Sequence, residues 1–286
     1  MGFLADVGQT LNFYESKPFL EYIKQHGIVQ FILLLKKFKD DKKDKVFWGD
    51  EIEFHLLHID PITKLPKLQP NTEYLFHSPP QQNFSLQVEF GAWMVEVVPT
   101  APYEIDGDPN PVYNNMKERR EKIKVLCKEG DVLFAGSVYP MMGVNDYFVP
   151  RIKDEEEGEE DEEEKDPFYD DVNPASKSIF VSDELINPHP RFSTMAENIR
   201  LRRGEKVCIQ MPIYKDEKTS MEKTKEEPYP GFIYMDAQHF GMGNGCLQLT
   251  YGTKDIDEAR YLTDQLAVFS SIMVCIICDL FFEISY

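Results

Sequence analysis

The sequence predicts an α+β fold, with a mostly antiparallel sheet and helices before and after it. Three observations carry this. Residues 47–59, FWGDEIEFHLLHI, alternate with the period of a strand over a long run. Further strand-like runs are joined by loops and hairpin-type turns, not by regularly alternating helices, which argues against a parallel sheet. Helical spacing opens and closes the chain and recurs at a few interior segments.

Each element follows from local chemistry. Residues 16–40 read as helices: Ser16 is placed to cap the first, and His26-Gly27 interrupts the pattern before IVQFILLL. Residues 36–45 form a charged loop. In the strand Trp48–Ile59, Glu51, Glu53 and His55 share one parity while Ile52, Phe54 and Leu56 share the other. One face is therefore apolar, and the other carries two carboxylates about 7 Å apart. Asp60-Pro61 opens a turn, and residues 64–82 read as irregular. Residues 86–99 are a second apolar segment, 112–129 a helix ending at Gly130, and 132–139 a strand. A helix over 191–204 takes a Ser or Thr cap and stops at Gly204. Residues 206–214, 232–237 and 246–251 read as strands, the last two around a glycine-rich turn. Asp255-x-x-Glu258 has the form of a capping box opening a helix to Cys278. The chain reads as one unit over 1–286, interrupted by an acidic insertion at 154–171 and a polar loop at 215–230.

The 286 residues are 42% hydrophobic and 13% aromatic, which supports a packed core. Net charge is -19, and residues 154–171 alone hold thirteen acids and one lysine. That run is expected to be a disordered, solvated segment, and it lacks the spacing of a calcium loop. Without a basic surface, nucleic acid is excluded as a partner. Five cysteines (Cys127, Cys208, Cys246, Cys275 and Cys278) have irregular spacing, and the N-terminus has no signal-peptide pattern. Free thiols in a reducing, cytosolic setting follow. Cys275-x-x-Cys278 lacks a second pair and reads as two core thiols. The apolar run 266–278 is shorter than the roughly 20 residues of a membrane span, so no membrane is expected.

Four acids stand out. Besides Glu51 and Glu53, VEFGAWMVEVVPT places Glu89 and Glu96 in apolar company. A helix would put these two on one face; a continuous strand would put them on opposite faces unless Gly91 marks a break. Either way an ionised carboxylate there must be paired or metal-bound. Four carboxylates without a cysteine–histidine cluster suit Mg²⁺ or Mn²⁺, and the alternative is pairing with arginines or water. His55 and His58, three apart on a strand, face opposite ways and make no metal pair. His239 reads as structural or surface. FGMGNGCLQ, residues 240–248, lacks the Gly-Lys-Ser/Thr ending of a P-loop and alone is a tight turn. Arg200, Arg202, Arg203 and Lys206 could hold phosphate, with Arg200 and Arg203 the candidates, or simply form a solvated helix end.

The blocks WGDEIEF, VEFGAWMVEVVP, HPRFSTMAENIRLRRGEKVCIQMPIYKD, IYMDAQHFGMGNGCLQLTY and EARYLTDQLA occur in this order. Together they resemble the eukaryotic glutamate–cysteine ligase catalytic subunit across most of residues 1–273, as its N-terminal half. The resemblance implies a glutamine synthetase-like sheet forming a funnel with metals inside. It implies ATP-dependent ligation of the glutamate side-chain carboxylate to cysteine through a γ-glutamyl phosphate, the first step of glutathione biosynthesis. Glu51, Glu53, Glu89 and Glu96 match the family's metal-binding acids. Met242, Gly243, Asn244, Cys246 and Gln248 look like part of the amino-acid substrate wall, with Cys246 a buried or pocket-lining thiol and no nucleophile. Mg²⁺ or Mn²⁺, the substrates ATP, glutamate and cysteine, and a modifier subunit are the implied ligands and partners. Subunits of that family are about twice as long, and residues 279–286 depart from the family's continuation. The competing expectation is therefore a non-catalytic fragment or a partner-binding subunit.

Overall fold

A computed structural model describes residues 8, 10–78, 82–144, 146–152, 173–218 and 229–284, with side chains in the last helix described to residue 273. The acidic insertion at 154–171 and most of the polar loop at 215–230 lie outside the described residues.

The architecture is a curled antiparallel sheet with flanking helices, organised by one strand. β1 (Phe47–Ile59) pairs on one edge with β5 (Tyr103–Glu104), β4 (Met94–Pro99) and β2 (Pro66–Leu68). On the other edge it pairs with β9 (Leu247–Gly252) and β6 (Asp131–Phe134). The two edges are fixed by shared registers: Ile52 lies opposite Val97 on one side and Leu247 on the other. β3 (Phe84–Val88) extends the sheet beyond β4. A separate hairpin joins β7 (Ile209–Pro212) to β8 (Phe232–Met235).

The even-numbered residues of β1 face the rear, where Phe54 and Leu56 pack with Phe84, Val95, Val97, Leu75 and Ile123. Ile123 comes from α3 (Asn110–Leu126) and Leu75 from the short α2 (Glu73–Phe76). A second core gathers around Trp93, Leu57, Tyr139 and Leu185, and a third joins Phe90 to Phe192 and Ala196 of α4 (Pro190–Arg203).

Several local readings are corrected. The N-terminal helix α1 is one continuous helix, Phe13–Phe38, running through His26-Gly27. Its cap is Asn12, whose Oδ1 accepts from Glu15 N while Glu15 reaches back to Asn12 N, so Ser16 is not the cap. Residues 64–82 contain β2 and α2. The predicted strand 132–139 is only Asp131–Phe134, and 206–214 only Ile209–Pro212. His189 caps α4 in place of Ser or Thr, accepting from Arg191 N, while Gly204 does stop it at φ 75°. The glycine-rich turn holds the short helix α5 (His239–Met242). Asp255 Oδ1 accepts from Asp257 N and Glu258 N and opens α6 (Ile256–Ile284), which runs past Cys278. No described helix is long and apolar enough to cross a membrane.

One buried ion pair pins the sheet to α3. Asp50 Oδ2 accepts from Arg119 Nη2 at 2.5 Å, and Arg119 Nη1 donates to Val97 O at 2.9 Å, with both side chains fully buried. Asp50 has the parity of the apolar face, so its charge is compensated there or not at all. Arg119→Met should lower unfolding free energy by about 3–5 kcal/mol, read by urea denaturation. Adding Asp50→Ala should restore much of the loss, because no unpaired charge then stays buried.

Candidate metal and active site

The front face of β1 carries the carboxylates inward. Glu53 lies directly opposite Glu96 on β4, and such a cross-strand pair points to one face. Glu89 follows the last residue of β3. The chain then turns back through Gly91–Trp93, with Met94 N donating to Gly91 O and Ala92 N to Leu185 O. Residues 86–99 are thus a hairpin, neither one helix nor one strand, and the turn folds Glu89 onto the pair. One ligand oxygen from each of Glu53, Glu89 and Glu96 lies within 4.8 Å of the other two, and all three residues are buried. Glu51 is half-buried on the same strand face, and both it and Glu96 line a cavity of 710 Å³.

The three acids are not equally satisfied. Glu53 Oε2 accepts from Cys246 N at 3.0 Å and Oε1 from Gln248 Nε2 at 2.8 Å. Glu89 Oε2 accepts from Phe90 N at 3.2 Å. Glu89 Oε1 and Glu96 Oε2 are buried with no hydrogen-bond partner among the described residues. Burial raises the Glu89 carboxyl, and the Glu53 charge adds to it. Burial, then the charges of Glu89 and Glu51, pushes Glu96 up to about 8. Both shifts favour a proton held between Glu89 and Glu96 at neutral pH. Oxygens within 4.8 Å of one another are close enough to share one cation, whose opposite ligands stand about 4.2 Å apart for Mg²⁺ and about 5 Å for Ca²⁺.

Of the residues expected to form a substrate wall, Cys246 and Gln248 are brought to Glu53 by the pairing of β9 with β1. Cys246 is exposed, not buried; partial desolvation and the Glu53 charge push its thiol up to about 11, so it is no thiolate nucleophile at neutral pH. Gly243 has a packing role. A β-carbon there would stand 2.2 Å from His239 O and 2.8 Å from the Trp93 ring, and one at Gly91 would meet Trp93 at 2.8 Å. The two glycines clamp the indole that backs the Glu89 turn. Asn244 Nδ2 donates to Phe240 O, and Met242 is partly exposed. Arg200 donates to Ala175 O and Pro174 O, and Arg203 to Glu205. Both guanidinium groups thus have partners beside α4. Lys206 pairs with buried Asp236, which also accepts from Ser178 Oγ and Ile179 N.

This chain matches the family model described as glutamate-cysteine ligase over residues 2–278. It belongs to the glutamate–cysteine ligase family. The Homo sapiens catalytic subunit of that ligase is 35% identical over 298 residues, covering 96% of this chain and 44% of its own length. The glutamate–cysteine ligase of Candida albicans is 33% identical over 302 residues, with 96% and 41% covered. That of Dictyostelium discoideum is 31% identical over 304 residues, with 96% and 45% covered. The chain therefore spans less than half the length of these ligase relatives.

Three features escaped sequence reasoning. Asp50 could have been found, because a charge at an apolar-parity position needs a partner. Asp236 and the Trp93 clamp depend on contacts distant in sequence. His239, read as structural or surface, is fully buried, stacked on Trp93 and edge-on to Phe90, and burial lowers it to about 4; the same cause lowers buried His55 to about 4. Below the ordinary value of 6.5 the unfolded chain takes a proton that the folded histidine refuses. Stability is therefore complete above pH 6.5 and is lost as pH falls toward 4, by up to about 3 kcal/mol per histidine. His239→Phe should flatten this loss. Unfolding free energies at pH 7 and pH 5 measure it, and Glu89 and Glu96 act equally in both proteins.

Proposed function

We propose that this chain carries the metal- and phosphodonor-binding part of a glutamate–cysteine ligase site, on a glutamine synthetase-like sheet. The observation that carries the reading is the buried cluster of Glu53, Glu89 and Glu96, one ligand oxygen of each within 4.8 Å of the other two. These residues, with Glu51 at the rim, would hold Mg²⁺ or Mn²⁺. A bound cation supplies charge neutralisation between ATP and the glutamate carboxylate. Gln248 and the Cys246 backbone amide fix the Glu53 carboxylate so that both of its oxygens keep one orientation. Met242, Gly243, Asn244, Cys246 and Gln248 stand on the amino-acid side. The reaction is attack of the glutamate side-chain carboxylate on the γ-phosphate of ATP, then displacement of phosphate by the cysteine amine. Phosphoryl transfer of this kind needs positioning and charge stabilisation more than a protein nucleophile, which agrees with the absence of an activated thiol at Cys246. The setting is cytosolic, with a modifier subunit as a further partner.

A second reading is favoured by exposure. α1 has no buried residue, and Phe19, Tyr22, Phe31 and Leu33 stand open, as do Ile209, Met211, Leu247 and Leu249 of the sheets. Apolar surface of this extent marks an interface. Here the ligation is completed by a second polypeptide carrying the rest of the family's length.

The purified chain, given Mg-ATP, glutamate and cysteine, is expected to form γ-glutamylcysteine, detected by mass spectrometry, with loss of product on Glu53→Gln. Product only after the longer family portion is added supports the second reading. Product from Glu53→Gln at the wild-type rate sinks the first. Because the cation must displace the Glu96 proton, Mn²⁺ affinity should rise about tenfold per pH unit up to about pH 8 and then level. Titration followed by electron paramagnetic resonance reads this.

A further inference from the structure

The hydrogen bonds that fix the Glu53 carboxylate come from one short stretch of chain. Cys246 N donates to Glu53 Oε2 and Gln248 Nε2 to Oε1, while Glu53 N donates in return to Cys246 O at 3.0 Å. Residue 246 is thus held by the backbone of Glu53 and holds its side chain. β9 joins the β1 ladder only at Leu247, opposite Ile52. Cys246 is therefore placed by the arm that leads to it, residues 236–246, which runs from the end of β8 through α5 and the glycine turn. The arm's fastenings are unequal. His239 and Gly243 lie against Trp93, and Gly245 N donates to Ser137 O at 3.0 Å. These are packing contacts and one neutral hydrogen bond. At the root of the arm stands a charge. Asp236, fully buried, accepts from Ser178 Oγ at 2.6 Å, from Ile179 N at 2.9 Å and from Lys206 Nζ at 2.7 Å. Bonds to an ionised group are stronger than neutral ones, and a buried carboxylate that loses its cation is costly. Lys206 is brought to it by the left-handed stop of α4 at Gly204.

We infer that Asp236 and Lys206 are positioning residues of the cation site: the pair anchors the arm whose far end orients Glu53. The inference rests on the reading of Glu53, Glu89 and Glu96 as that site. Asp236 lies ten residues before Cys246 and twelve before Gln248, so the pair acts through the arm. With the root released, Cys246 N and Gln248 Nε2 no longer hold the two oxygens of Glu53 in one orientation, and the cation loses a pre-set ligand. The charge of Lys206, which by sequence alone served a phosphate equally well, is turned inward to this task.

Asp236→Asn tests this. It removes the ion pair while keeping the shape, and Lys206, whose side chain is 30% exposed, can turn to water. Two readouts go together: Mn²⁺ affinity by electron paramagnetic resonance, and hydrogen exchange of the Cys246 amide measured against the amides of β4. The expected result is Mn²⁺ bound about tenfold more weakly, with faster exchange at Cys246 while β4 stays protected. Lys206→Met should do the same, and Lys206→Arg, which returns a cation to Asp236, should bring both readouts back toward wild type. Leu75→Ala, in the core behind the sheet, should lower stability yet move neither readout. Wild-type Mn²⁺ affinity and wild-type exchange in Asp236→Asn would overturn the anchor. So would equal changes in Leu75→Ala, which would mean general loosening of the fold. If wild type binds no Mn²⁺ yet Cys246 exchange rises in Asp236→Asn alone, the pair still orients Glu53 and the cation reading fails.

Discussion

Three buried carboxylates within 4.8 Å of one another set the terms for the rest of this fold. Like charges at that distance and away from water oppose folding, and each acid answers the problem differently. Glu53 takes two donors from the β9 side, one of them a backbone amide. Glu96 is pushed toward its protonated form by burial and by the charges of Glu89 and Glu51. Glu89 gains one backbone donor, and its other oxygen has no donor among the described residues. A structure that needed only stability would put apolar residues here. The residual frustration is what motivates the cation site proposed above.

The scaffold around the cluster is built to hold β1 still. Five strands register against it, and its rear is tied to α3 through Asp50 and Arg119. The Glu89 turn is held from behind by Trp93, which Gly91 and Gly243 clamp and His239 stacks upon. Buried Asp236 gathers Ser178, the Ile179 amide and Lys206, fastening the loop before α4 to the segment that leads into α5. The carboxylates are thus positioned by strands and packed aromatics, not by mobile loops.

The sequence made the central strand legible because its period of 2 is long and uninterrupted; Glu51 and Glu53 were visible as paired acids on its polar face, and Glu89 and Glu96 as charges in apolar company. Whether Glu89 and Glu96 met was not legible. That depended on a turn at Gly91, and one glycine serves equally as a bulge, a break or a packing contact. The continuity of α1 through His26-Gly27 was hidden because glycine weakens a helix without forbidding it. The glycines at 240–245 looked ligand-facing, yet the room at Gly243 is taken by Trp93, a contact made across 150 residues. Arg200 and Arg203 stood out by charge alone, and nothing in the sequence pointed to their partners beside α4.

The central claim, that Glu53, Glu89 and Glu96 form a divalent-cation site, is tested most directly by diffraction from Mn²⁺-soaked crystals at the manganese absorption edge. The account predicts an anomalous peak about 2.2 Å from oxygens of all three glutamates, absent from Glu53→Gln crystals. A peak elsewhere, or none at saturating Mn²⁺ and pH 8, would contradict it.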